Sequence, residues 1–184
     1  MHQHYTFVTG NRNKYLEFKR ILNIQLFQQD VDLPEIQSIN IEDVVVDKVK
    51  AAYFELKRPV MIEDTGLYFE AWNGLPGALI KWFLASVGND GLSQMICKNP
   101  NKNAIAKTCI ASYDGINDPN IFLGEVNGTI ADIPRGKNGF GWDSIFIPNG
   151  YNQTFAEMTG EHKDKFSMRN IALKKATEYF KNKL

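Results

Sequence analysis

Helices and strands alternate at both ends of this chain while strands crowd its middle, and that order restricts the fold more than any other feature. Tyr5 to Val8 reads as a short strand, broken by Thr9-Gly10-Asn11. From Lys14 the period turns helical: Tyr15, Phe18 and Leu22 fall on one stripe, with Glu17, Lys19 and Arg20 elsewhere. A second helix is predicted from about Glu42 to Leu56, with Val45, Val49, Ala52, Tyr53 and Leu56 on its apolar face; Pro59 ends the connection. Val60-Met61-Ile62 reads as a buried strand, and Leu67-Tyr68-Phe69 as another after a Thr65-Gly66 break. Gly74-Leu75-Pro76-Gly77 reads as loop and Ala78 to Val87 as helix. Ile105 to Tyr113, Ile121 to Val126 and Ile145-Phe146-Ile147 read as strands. Ser167 to Lys183 is the last helix, with Ile171, Ala172, Ala176, Tyr179 and Phe180 inward and a lysine-rich outer face. The order implies a mixed α/β sheet with flanking helices, bent into two lobes with a cleft. No repeat, low-complexity segment or linker interrupts the 184 residues, so residues 1–184 are expected to form a single domain.

Composition narrows the function classes. Apolar residues at 43% and charged residues at 23% match a soluble globular chain and argue against disorder. No run approaches about 18 apolar residues, which excludes a spanning helix and a membrane partner. The start MHQHYTFVTG lacks a basic region followed by a long apolar stretch, so no signal peptide is expected. Lys plus Arg and Asp plus Glu are 21 each, without the basic excess of a general nucleic-acid binder. Any basic cluster must be local and aimed at a small anion. Cys97 and Cys109 cannot make a disulfide framework or a zinc knuckle, and they read as buried or half-buried thiols of a reducing, cytoplasmic compartment. His2 and His4 sit at the terminus, leaving His162 alone and without a spaced partner.

Four constellations carry chemistry. Thr9-Gly10-Asn11-Arg12-Asn13-Lys14 is a glycine turn into a helix N-terminus; it offers a phosphate backbone N–H groups and a lysine, and reads equally as a plain capped turn. Glu63-Asp64 follows a very apolar strand, and strand ends are where open α/β sheets place ligands. Neighbours in an extended segment point to opposite faces, so one of the two faces the cleft. Glu35 is a second carboxylate beside a predicted strand at Ile36, and two carboxylates from different segments are what Mg²⁺ takes from protein. Gly139-Phe140-Gly141-Trp142-Asp143 combines close backbone approach with an aromatic face that can stack on a base, or fills core. Lys163 and Arg169 bracket Phe166-Ser167-Met168, where Ser167 suits an N-cap; the cations form a rim for a polar base edge or a solvated helix start.

In combination these pieces resemble the inosine triphosphate pyrophosphatase family. The matching stretches are Phe7-Val8-Thr9-Gly10-Asn11 with Lys14, Asp32-Leu33-Pro34-Glu35, Glu63-Asp64-Thr65-Gly66-Leu67, and Gly74-Leu75-Pro76-Gly77 with Ile80-Lys81-Trp82-Phe83. Gly139-Phe140-Gly141-Trp142-Asp143, Thr154-Phe155-Ala156-Glu157-Met158, and Lys163, Ser167 and Arg169 complete the set in order. The resemblance implies an elongated α/β fold of two lobes around a central substrate cleft, usually a homodimer. It implies Mg²⁺-dependent cleavage of deaminated purine nucleoside triphosphates between the α- and β-phosphates, cleansing the nucleotide pool. By the same resemblance, Thr9 to Lys14 form a phosphate loop, Glu35 and Asp64 hold metal, and Asp64 is the general base. Thr65 contacts substrate, and Lys48 and Lys81 reach the phosphates. Phe140, Gly141, Trp142 and Asp143 hold base and ribose, and Lys163 and Arg169 meet the base edge. Met168 departs from the family's usual histidine, which reads either as a local variant that keeps the preference through backbone donors or as an altered or broader base preference; a nucleotide-binding module that hydrolyses nothing is a separate alternative.

Overall fold

The computed structural model describes residues 5–22 and 27–182. His2, His4, the Leu22 side chain and the Lys183 end of the last helix lie outside the described residues. Among the described residues, seven strands form one mixed sheet: β1 (Thr6–Val8), β2 (Phe27–Gln29), β3 (Val60–Phe69), β4 (Pro76–Gly77), β5 (Asn103–Tyr113), β6 (Asn120–Ile130) and β7 (Phe146–Pro148). The order is β2-β1-β3-β5-β6-β7, with β4 on the free edge of β3. The β2–β1–β3 pairings are parallel and the rest antiparallel. The helices are α1 (Arg12–Leu22), α2 (Ile41–Leu56), α3 (Ile80–Ile96), α4 (Gly160–Asp164) and α5 (Met168–Asn182).

The two-residue alternation of strand side chains sorts the core. Val60 and Ile62 of β3, with Cys109 and Ala111 of β5, pack under Val45, Val49 and Ala52 of α2. Met61 and Ile110 face the other way, against Phe18 of α1 and Ala172, Leu173 and Ala176 of α5. Further along that second face, Leu67, Phe69, Ala104 and Ala106 build a separate core with α3, Trp142, Phe146 and Phe155. Between these two cores β3 and β5 carry Glu63, Thr65 and Thr108. Two apolar cores on that face are separated by a polar band.

Two expectations change here. The Thr65-Gly66 break is absent, and β3 runs unbroken from Val60 to Phe69. Gly66 sits inside a strand because a Cβ there would lie 2.6 Å from the Tyr68 ring and 3.1 Å from the Gly77 backbone. The glycine marks a close approach rather than a turn. Glu35 is not beside a strand; residues 30–38 have no regular structure. Smaller differences follow tertiary pairing. Pro76–Gly77 form a short strand against Leu67 and Tyr68, and α3 continues to Ile96 across a non-helical Gly88. Among the described residues no helix is long and apolar enough to cross a membrane.

Candidate active site

The cleft opens where the sheet is incomplete. On one edge of β3, β1 pairs only with Val60 and Met61, and β4 only with Leu67 and Tyr68. The stretch between them, which holds Glu63, Asp64 and Thr65, has no strand on that side. Lys14 fills the gap from the first turn of α1: its Nζ donates to the Glu63 carbonyl at 3.3 Å and to Asp64 Oδ1 at 2.8 Å. It also lies 3.2 Å from Glu63 Oε2, an ionic contact without hydrogen-bond geometry. Glu63 and Asp64 thus point to opposite faces, as alternation requires, and share one lysine across the strand edge.

On the α2 side, Lys48 Nζ donates to Glu35 Oε2 at 2.5 Å and to Asp64 Oδ2 at 3.3 Å. Lys81 at the start of α3 is 64% exposed along its side chain and lies 3.5 Å from Glu35 Oε1. Burial alone would raise the Asp64 pKa, but Lys14 and Lys48, with the Thr65 N–H donating at 2.9 Å, hold it down at about 2. Burial pulls Lys14 down, and the Asp64 and Glu63 charges outweigh it and raise its pKa. Asp64 is therefore a carboxylate and Lys14 an ammonium ion throughout the neutral range.

On the α5 side, the polar band is filled by a buried ion cluster. Arg169, 1% exposed, pairs with Glu17 of α1 and donates to Glu63 Oε1 at 3.0 Å. Lys163, 3% exposed, donates to Asp143 Oδ2 at 2.7 Å and Glu17 Oε1 at 3.3 Å. Both cations also face the Phe140 ring, at 5.5 Å and 5.6 Å from its centroid. Neither solvated start nor open rim describes them: they are desolvated and pinned. The glycine loop is shaped by the same group, since the Phe140 N–H donates to Asp143 Oδ2 at 2.9 Å and Asn89 Nδ2 donates to the Gly141 carbonyl at 2.8 Å. Trp142 is 5% exposed and stands edge-on to Phe146, so it serves the core as well as the cleft wall.

The cleft and its continuation bring together nearly every residue singled out from the sequence. Asn11, Lys14, Glu35, Asp64, Thr65 and Lys81 line one end of it. Phe140, Gly141, Trp142, Asp143, Lys163, Met168 and Arg169 line the other. Thr9, Gly10 and Lys48 line the adjoining hollow around Asp64. Arg12 does not line either space, and Asn13 faces a neighbouring hollow beside Phe140 and Lys163. At the start of α1 the capped turn is the reading the structure has: Asn11 Oδ1 accepts from the N–H groups of Asn13 at 3.0 Å and Lys14 at 3.2 Å. Those amides are already bonded, and Lys14 supplies the positive charge through its side chain. His162 stacks edge-on to Tyr151 and Phe166, away from the cleft. Both thiols are free, and burial pushes the Cys109 pKa up, so it is a core residue.

Sequence reasoning missed Glu17, which it left on the polar side of the first helix. Glu17 is 7% exposed and holds both Arg169 and Lys163. A signal was present: Glu17 is one turn beyond Lys14, on the helix face that points at the cleft.

A mixed α/β sheet interrupted by a cleft, with a lysine–carboxylate end and a buried-cation–aromatic end, is the class of α/β protein that the fold and site define. The chain belongs to the Ham1 family, whose model matches residues 5–179. It is 44% identical over 179 residues to the inosine triphosphate pyrophosphatase of Schizosaccharomyces pombe, covering 96% of this chain and 94% of that protein. It is 38% identical to the dITP/XTP pyrophosphatase of Methanopyrus kandleri, covering 96% and 95%. Among solved structures, the Ham1 protein of Staphylococcus aureus superposes with a TM-score of 0.77 at 25% identity, over 97% of this chain and 100% of that one. The nucleoside-triphosphatase, or dITP/XTP pyrophosphatase, of Mycobacterium abscessus gives 0.72 at 28% identity, over 94% and 98%.

Proposed function

We propose that this protein hydrolyses deaminated purine nucleoside triphosphates (ITP, dITP and XTP) to the monophosphate and pyrophosphate, with Mg²⁺, as a cytoplasmic homodimer in which residues 1–184 act as one domain. The observation that carries the reading is the single ammonium of Lys48 seated on both Glu35 and Asp64, at 2.5 Å and 3.3 Å. Two carboxylates that converge on one cation from different segments are a hard-oxygen site of the kind Mg²⁺ takes, with waters and phosphate oxygens completing its shell. Among the described residues no three acids, histidines or cysteines gather as a complete metal cage, which fits a metal shared with substrate.

When bound, Mg²⁺ supplies charge neutralisation at the phosphates and acidifies a coordinated water. The chain's own residues do the rest. Asp64, ionised at neutral pH, accepts the proton of the attacking water. Lys14, Lys48 and Lys81 hold the leaving pyrophosphate, since phosphoryl transfer relies on positioning and charge stabilisation. Thr9, Gly10, Asn11 and Thr65 line the phosphate end; Arg12 and Asn13 stand just outside it. Phe140 stacks on the base, with Gly141 and Trp142 shaping its slot and Asp143 holding the loop. Arg169 and Lys163 can only donate, so they suit the 6-oxo edge left by deamination and not an amino edge. A second reading, a broader base preference, rests on Met168, a buried thioether in the cleft wall that offers a base no strong donor.

The test is pyrophosphate release from ITP, dITP, XTP, GTP, ATP, dUTP and CTP, with Mg²⁺ and with EDTA. Metal-dependent release favouring ITP and XTP is expected. Release with a broad preference supports the second reading, and Met168→His should then narrow it. No release from any of them would mean a nucleotide-binding module. Asp64→Asn is expected to abolish turnover while the protein still folds; near wild-type rates would overturn its role. Light scattering tests the homodimer.

A further inference from the structure

We propose that Lys48, aided by Lys14, is an internal counter-ion that keeps divalent metal off Glu35 and Asp64 until a polyphosphate draws the lysines away, so that metal and polyphosphate bind with positive cooperativity. This rests on the phosphate-and-metal reading of the cleft given above. Both Asp64 oxygens are taken, Oδ1 by Lys14 at 2.8 Å and Oδ2 by Lys48 at 3.3 Å. Glu35 is taken by Lys48 at 2.5 Å and by Lys81 at 3.5 Å. Lys48 and Lys14 are only 19% and 13% exposed along their side chains, so these pairs are better shielded than surface contacts. A metal ion arriving alone must eject Lys48 from between its two carboxylates and leave a half-buried ammonium unpaired, which is costly. A polyphosphate arriving alone meets lysines whose charge is already spent on carboxylates. When both arrive, each carboxylate exchanges a lysine for metal and each lysine exchanges a carboxylate for phosphate, so no charge is left without a partner. The favourable exchange exists only for the pair of ligands, and linkage makes the coupling reciprocal.

The experiment is Mn²⁺ binding to the whole protein, followed by the electron paramagnetic resonance signal of free Mn²⁺, with and without inorganic tripolyphosphate. Protein-dependent uptake is corrected for the Mn²⁺–tripolyphosphate complex measured without protein. Wild-type protein should bind Mn²⁺ weakly alone and on the order of tenfold or more tightly with tripolyphosphate, a typical coupling factor. Lys48→Gln should raise the affinity for Mn²⁺ alone, weaken tripolyphosphate binding and shrink the coupling. Lys81→Gln, which removes a more exposed charge from the same neighbourhood, should change Mn²⁺ affinity much less. Equal Mn²⁺ affinity with and without bound tripolyphosphate would overturn the proposal, and the wild-type titration alone decides that even if a variant misfolds. Equal gains in Lys48→Gln and Lys81→Gln would reduce it to general charge loss and overturn the counter-ion role. Failure of tripolyphosphate to bind under any condition would instead remove the phosphate reading beneath it.

Discussion

Glu17 shows how much of the site depends on one carboxylate outside the chemistry. It is the anion shared by Arg169 and Lys163, two cations that line the cleft and cannot reach bulk water. Breaking a buried pair from one side leaves uncompensated charge, so Glu17→Gln should cost about 3 kcal/mol of stability, read as a lower denaturant midpoint at unchanged slope. Burial would raise the Glu17 pKa, but Arg169 and Lys163 overcome it and hold it below its ordinary 4.5. A depressed carboxylate contributes stability that is full above its unfolded pKa and is lost as pH falls through its lower folded one. Wild-type stability should therefore drop as pH falls below about 4.5, while Glu17→Gln should be flatter there; parallel curves would show that Glu17 is not the group titrating. The one-turn spacing from Lys14 was the only positional signal, and it was masked because Glu17 flanks the apolar stripe of Tyr15 and Phe18, where a polar residue reads as solvated. Lys163 and Arg169 were legible as a pair of cations beside the start of the last helix. Their burial was not, since it depends on Glu17 and Glu63 arriving from distant segments.

At the level of elements, α5 must be seated closely for Met168 and Arg169 to reach the cleft. Two local devices set its first turn. Ser167 Oγ accepts from the Asn170 N–H at 3.2 Å, the N-cap that the sequence suggested. Beneath it, β6 presents Gly124, where a Cβ would stand 1.9 Å from the Met168 carbonyl oxygen. Ser167→Ala should cost about 1 kcal/mol, the loss of one cap. Gly124→Ala should cost about 1–3 kcal/mol and also raise KM, because the clash is with backbone and only a shift of the helix start relieves it. Thermal unfolding and steady-state kinetics on both variants separate the effects: KM unchanged in Gly124→Ala would mean that the seat of α5 does not set the base end. The long amphipathic helices and the β5 and β6 strands were readable because their periods run for many residues. The β3 strand was misread at Gly66 because a glycine kept for the Tyr68 ring is indistinguishable, in sequence, from a glycine kept for a turn. A capped turn at the start of α1 was one of two open readings, and the geometry of the Asn11 side chain identifies the cap.

Taken as a whole, the molecule repeats in its cleft the charge balance of its composition. Glu17, Glu35, Glu63, Asp64 and Asp143 are met there by Lys14, Lys48, Lys81, Lys163 and Arg169. The chain as a whole has formal charge zero. A polyanion approaching such paired charges should feel little long-range steering, because steering requires an unbalanced patch. On the proposed counter-ion role, attraction begins only when metal and phosphates are close enough to exchange partners with the lysines and carboxylates. Association should therefore be nearly insensitive to salt at a distance. The rate constant for a fluorescent nucleoside triphosphate with Mg²⁺, followed by stopped flow, should fall by less than about tenfold between 20 and 200 mM salt, over which the Debye length shrinks from about 20 Å to about 7 Å. A steeper fall would mean that the free cleft presents a positive patch to solvent despite its paired charges. On the proposed function, selection within the cleft then depends on which base edge accepts hydrogen bonds from Arg169 and Lys163, and not on how strongly the protein draws anions in.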